Sequence, residues 1–172
     1  MDLAFFQSMD KEELIEYLGF LLHHYRVMDS FWYIYISQLF DDATADRINE
    51  KVWGRVPALA VRDLQKRFDL KETGLKGFFQ TLEYWPWHHL VGYQVEETPS
   101  EVRITVPCCP TQEARRARGL PEYHCKEMYR REFLSLAQAV DPRIRVDCLF
   151  APPDPHSREC DCQWRFTLAE AT

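Results

Sequence analysis

The chain has 172 residues, a length that suits one domain with a sizeable core. Its 46% hydrophobic and 28% charged content excludes a disordered chain, and a net charge of -6 argues against a nucleic-acid-binding domain. Aromatic residues reach 14%, which favours large core contacts, a ligand pocket or a subunit interface.

The opening MDLAFFQSMDKEEL has neither a basic n-region nor a long apolar h-region. No run approaches ~18 uncharged apolar residues. The expectation is a cytoplasmic protein without a signal peptide or a membrane span. In that compartment the six cysteines serve metal ligation, catalysis or burial rather than stable disulfides.

Asp10 followed by Glu13 predicts a capping box, and Leu14, Leu18, Leu21, Leu22 and Tyr25 then follow helical spacing. A second helical stretch over roughly 28–40 is apolar nearly all round, from Phe31 to Phe40. Such a helix is expected to be buried, in the core or against a partner subunit, and a homodimer is the expected assembly. Residues 44–68 read as a helix kinked at Pro57. A short helix near 74–83 leads to YWPWHH, where Pro86 stops it.

The period then changes to two. LVGYQVEE and EVRITV flank TPS as a hairpin. Helical patterning returns over about 122–139 and is broken by DPR. IRVDCLF and CDCQWRFTL alternate as half-buried strands around a proline-rich loop. The fold class is therefore α+β, with N-terminal helices packed on one face of a small antiparallel sheet built from two strand pairs. A single domain over 1–172 is expected, with a mainly helical half (1–85) and a sheet half holding the cysteines (86–172).

Period two places Cys148, Cys160 and Cys162 on the core face of their strands. Cys125 stands at the start of a helix, where free amide groups favour a thiolate. Alternation from Val102, Ile104 and Val106 selects Cys108 over Cys109 as the inward residue, although Pro107 and the strand end leave both open. Four thiolates suit a tetrahedral zinc site, and cysteine sets also hold iron–sulfur clusters. The spacing lacks paired CxxC knuckles, so buried cysteines acting as small hydrophobes remain the competing reading.

The stretch from CPTQEARRARGLPEYHCKEMY through DPRIRVDCLF to CDCQWRFTL resembles the C-terminal half of a group of prokaryotic proteins related to the amino-thiazoline carboxylate hydrolase-like proteins. More distantly it resembles vinyl-reductase-type small-molecule-binding domains. MDSFW and EKVW extend the resemblance into the helical half. It implies Cys109, Cys125, Cys148 and Cys162 as the metal ligands, with Cys108 and Cys160 incidental. The hydrolase-like relatives match at Cys109, Cys125 and Cys162 and lack a counterpart of Cys148. The resemblance thus implies a metal site where those relatives keep a reactive thiol.

Two functional expectations follow. The first is a cytoplasmic metal- and small-molecule-binding protein with a four-cysteine zinc or iron–sulfur site. The second is a hydrolase of a small cyclic amide or thiazoline-like acid, with Cys109 or Cys125 as nucleophile and His124 as base. Asp29, Trp32, Glu50 and Trp53 are candidate pocket residues, and Arg115, within the Arg115, Arg116 and Arg118 cluster, is a candidate for holding a small carboxylate ligand. Tryptophans at helical spacing are more often core, and an arginine run is more often a solvated helix face. His88, His89 and His156 are weaker ligand candidates.

Overall fold

The computed structural model describes residues 2–169. The expected capping box forms: the Asp10 carboxylate accepts from the Glu13 amide at 2.9 Å, and Glu13 accepts from the Asp10 amide at 3.0 Å. It follows a short helix, α1 (Ala4–Gln7), and starts α2 (Lys11–Leu39). The two helices expected up to residue 40 are one. Val27–Asp29 contain no glycine or proline to break the chain of hydrogen bonds. No residue of α2 is buried, so the burial expected for 28–40 is not seen.

The helix expected over 44–68 is divided into α3 (Asp42–Trp53) and α4 (Val56–Phe68). Pro57 sits in the first turn of α4, where its missing amide costs nothing, so it starts a helix rather than kinking one. The same holds for Pro86. α5 (Gly74–Glu83) has already ended, and Pro86 opens α6 (Pro86–Val91).

The strands are β1 (Gln94–Glu97), β2 (Glu101–Val106), β3 (Ile144–Phe150) and β4 (Cys162–Leu168). The two strand pairs merge into one antiparallel sheet of order β1-β2-β4-β3. The junction is the β2–β4 ladder, which sets Val102 opposite Phe166, Ile104 opposite Trp164 and Val106 opposite Cys162. All six face the same buried side, as period two requires. α7 (Pro110–Arg116) and α8 (Lys126–Val140) lie between β2 and β3 in the chain.

α5 and α8 cover the sheet. The Phe133 ring of α8 lies 5.3 Å from Trp164 and 5.4 Å from Phe166, and Phe78 of α5 lies 4.4 Å from Phe166. Trp53, Trp85 and Trp87 form an edge-to-face cluster beside this core. The fold is α+β, and the helices over the sheet come from the middle and the C-terminal half of the chain. The chain divides after Ala45 into two compact units, one holding α1 and α2, the other holding the sheet. Among the described residues, no helix is long and apolar enough to cross a membrane.

Candidate functional site

β2 ends at Val106, and the pleat ends with it. Period two therefore no longer governs residues 107–109. Cys108 is exposed and Cys109 is buried, the reverse of the alternation reading. Cys109 is the N-cap of α7, with Pro110 next in the first turn. Its thiol is pushed up mainly by burial, while the Thr111 and Gln112 amides pull it down. Burial wins.

α7 is followed by a loop that its own side chain ties down. Gln112, almost fully buried, donates to the Tyr123 carbonyl at 2.8 Å and accepts from the Tyr123 amide at 3.0 Å. Its Nε2 also lies 3.7 Å from Cys125 Sγ. This double bond between side chain and backbone delivers Cys125 to the start of α8. There the Cys125 carbonyl accepts from the Tyr129 amide at 2.9 Å, and the Lys126 amide donates to the Pro152 carbonyl at 3.1 Å. The expected thiolate character at this helix start is overridden. Burial first, then the nearby Cys109, pushes the Cys125 thiol well up.

Cys162 opens β4 and is the third buried thiol. Burial raises it most, followed by Cys125 and Cys109. Three separate segments thus bring Cys109, Cys125 and Cys162 within one another's electrostatic reach. The same core holds Tyr93 and Tyr129, both strongly raised by burial and influenced by the thiols and by Glu132. The buried Glu132 accepts from Trp85 Nε1 at 2.9 Å. Tyr129 acts on the buried Tyr93 hydroxyl as a hydrogen-bonding partner, and Trp164 on the Cys162 thiol, each opposing the rise that burial causes.

Asp161 is the residue that sequence reasoning missed. Alternation through CDCQWRF turned it outward, but β4 starts one residue later and Asp161 turns in, 1% exposed. Its Oδ2 accepts from the Cys109 amide at 2.6 Å. Arg116 donates to both of its oxygens, at 2.7 and 3.0 Å, and also to Glu113. These bonds hold the Arg116 guanidinium in its charged form. The Asp161 amide in turn donates to the Val106 carbonyl at 2.9 Å. One carboxylate therefore connects the end of β2, the start of α7 and the start of β4. The C-x-C spacing gave no hint of it, because the decisive partner, Arg116, lies 45 residues away.

Cys148 stands apart from the trio in its electrostatics. It faces Trp164 across the β3–β4 ladder and is half-buried. Its thiol is pushed up to about 11 by burial, opposed by Lys126, with Asp154 and Glu127 as the other charges acting on it. Lys126 and Asp154 are themselves bonded at 2.7 Å. Cys160, expected on the core face, precedes β4 and is half-buried, with its Sγ 3.6 Å from the Val106 carbonyl.

Among the described residues, Glu122, His156 and Asp161 are a group whose ligand atoms all lie within 4.8 Å of one another; the thiols are not in it. Arg116 occupies this triad, 2.7 Å from Asp161 and 3.5 Å from Glu122. A guanidinium already neutralises the acids there, which disfavours a cation.

The remaining candidates are dispersed. His124 is exposed. Arg115 donates to the Pro121 carbonyl at 2.6 Å and so braces the loop after α7. Asp29 and the exposed Trp32 belong to the first unit. In the second unit Glu50 pairs with Arg131 at 3.1 Å, and Trp53 is buried in the tryptophan cluster.

A family model described as a family of unknown function, DUF6125, matches residues 7–168. No curated protein matches the chain.

Proposed function

The chain belongs to the DUF6125 family, and we propose that it is a cytoplasmic metal-binding protein whose zinc is held by Cys109, Cys125 and Cys162, with Cys148 as the fourth ligand. One observation supports this reading above the rest. Three thiols from three segments are buried, the Cys109 thiol raises that of Cys125, and both raise that of Cys162. Zinc would take all three as thiolates, release their protons and remove the cost of keeping them buried and neutral. It would also pin the start of α7, the start of α8 and β4 to each other. A reducing compartment keeps such ligands available.

The number of ligands decides what the site does. Four thiolates close it and make it structural. Three leave a position for water or for a small carboxylate ligand, the open arrangement of a reactive zinc. An iron–sulfur cluster is the alternative occupant of the same cysteines.

The second reading is the cysteine-dependent hydrolase of a small cyclic amide or thiazoline-like acid. Its support is the pair of amides, Thr111 and Gln112, that favour a Cys109 thiolate. Burial of that thiol opposes it, since a nucleophile must be accessible and ionised.

Elemental mass spectrometry and an absorption spectrum of anaerobically purified full-length protein test the proposal. The expected result is about one zinc per chain, lost in Cys162→Ser and kept in Cys160→Ser. Loss in Cys148→Ser establishes the closed site, and retention there establishes the three-thiolate one. A visible charge-transfer band with iron replaces zinc by a cluster. A protein that takes up no metal and shows one rapidly alkylated thiol overturns the site and favours the hydrolase.

A further inference from the structure

α2 is apolar on several sides, with Ile15, Phe20 and Phe31 exposed as well, and within it one seam keeps a heptad spacing. From Leu14, apolar residues recur at alternating steps of four and three: Leu14, Leu18, Leu21, Tyr25, Met28, Trp32, Tyr35 and Leu39. These eight positions form two series at seven-residue intervals, from Leu14 to Tyr35 and from Leu18 to Leu39, the heptad spacing of a helix wound against another helix. Seven are exposed in the chain and Tyr25 is half-buried; Trp32 is 67% exposed and Leu39 76%. Glu12, Glu13, Glu16 and Arg26 all fall outside the seam.

We infer that this seam is covered by the α2 helix of a second copy of the chain, running antiparallel. The inference goes beyond the metal-site reading and is independent of it. Area supports a stable pair: the seven exposed side chains hold on the order of 900 Å² per copy, close to the about 800 Å² each partner gives to a standard stable interface. Shape selects the orientation. Set head to tail with Tyr25 opposite Met28, two copies place Leu21 opposite Trp32, Leu18 opposite Tyr35 and Leu14 opposite Leu39. Each large aromatic ring meets a methionine or leucine side chain, so the three layers that hold rings have similar volumes, and only the outer Leu14–Leu39 layer is thinner. A parallel pair stacks Trp32 on Trp32 and Tyr35 on Tyr35 while the leucine layers stay thin, which dense packing disfavours. Opposed helix dipoles also favour the antiparallel pair. A membrane surface is a poorer occupant. Surface-seeking helices carry a basic polar face, and α2 has Lys11 and Arg26 against Glu12, Glu13, Glu16 and Asp29.

Light scattering after size-exclusion chromatography of the full chain tests this. Wild type is expected at twice the 20.5 kDa chain mass. Leu21→Glu and Trp32→Lys are each expected to weaken the dimer at least about tenfold, as loss of a buried anchor does. The double variant restores it, because antiparallel pairing sets the new carboxylate against the new ammonium at both ends. Ser30→Glu, off the seam, leaves the mass unchanged, and far-UV circular dichroism checks that every variant keeps its helix. A monomeric wild type, or single variants that dissociate at the same dilution as wild type, overturns the inference. A double variant no better than the singles overturns the antiparallel pairing.

Discussion

Replacing Asp161 tests whether one buried carboxylate holds the candidate site together. Asn in its place keeps an oxygen for the Cys109 amide but removes the charge facing Arg116. Two charge-assisted hydrogen bonds, at 2.7 and 3.0 Å, are weakened. Bonds of that kind contribute about 1.5–3 kcal/mol each when buried. Arg116 is 29% exposed and retains Glu113, so water and that carboxylate recover part of the loss. The expected cost of Asp161→Asn is about 2 kcal/mol. Asp161→Ala leaves the buried Cys109 amide without an acceptor as well, which adds about 1–3 kcal/mol. Against a total stability of about 5–15 kcal/mol, both are large. Urea unfolding followed by tryptophan fluorescence, with chelator present, reads the difference. At a slope of about 2 kcal/mol per molar, Asp161→Asn lowers the midpoint by about 1 M and Asp161→Ala by about 2 M. The reasoning fails if Asp161→Asn matches wild type, or if the alanine variant is no worse than the asparagine one.

Gly77→Ala is expected to destabilise by about 1–3 kcal/mol in the same assay, because its Cβ would stand 2.1 Å from the Glu72 carbonyl oxygen, which belongs to the backbone. Gly19→Ala, with nothing within 4 Å and a place off the α2 seam, is expected to stabilise by up to about 1 kcal/mol, read by thermal melting. Asp141 supplies a pH dependence. Its carboxyl is held down to about 2 by Arg143, with help from the Gly74 amide. The folded value lies below the unfolded one, so its stabilisation is fully present above the ordinary carboxylate range and is lost as pH falls through about 2. Because Arg143 is largely exposed, the contribution is about 1–2 kcal/mol. Urea midpoints of wild type and Asp141→Asn should differ at pH 7 and draw together as pH falls towards about 2; a constant gap refutes the assignment.

Local chemistry was legible wherever neighbours in sequence are neighbours in space. The capping box at Asp10 and Glu13, the helix over 74–83, the hairpin around TPS and the two C-terminal strands all rest on residues a few positions apart. Their hydrogen bonds and pleats follow from spacing alone. Pro57 and Pro86 were visible as breaks, but whether a proline ends a helix or opens one depends on the turn that receives it. The separate helices expected before residue 40 are one because nothing between them lacks an amide or adds backbone freedom.

The buried trio shows where that legibility stops. Period two turns Cys162 inward correctly, because β4 is regular from that residue on. It fails at Cys108 and Asp161, which lie just outside the strands, where the backbone no longer alternates. The sequence by itself determined the α+β class, the positions of the principal helices and strands, and the inward side of the sheet, since each is set by short-range periodicity. Only the tertiary structure decided that β2 and β4 join the strand pairs, that Asp161 and Arg116 meet, and that Cys109, Cys125 and Cys162 share one core while Cys148 answers to Lys126 and Asp154. Those outcomes depend on burial and charge between residues far apart in the chain, and no local pattern carries that energy.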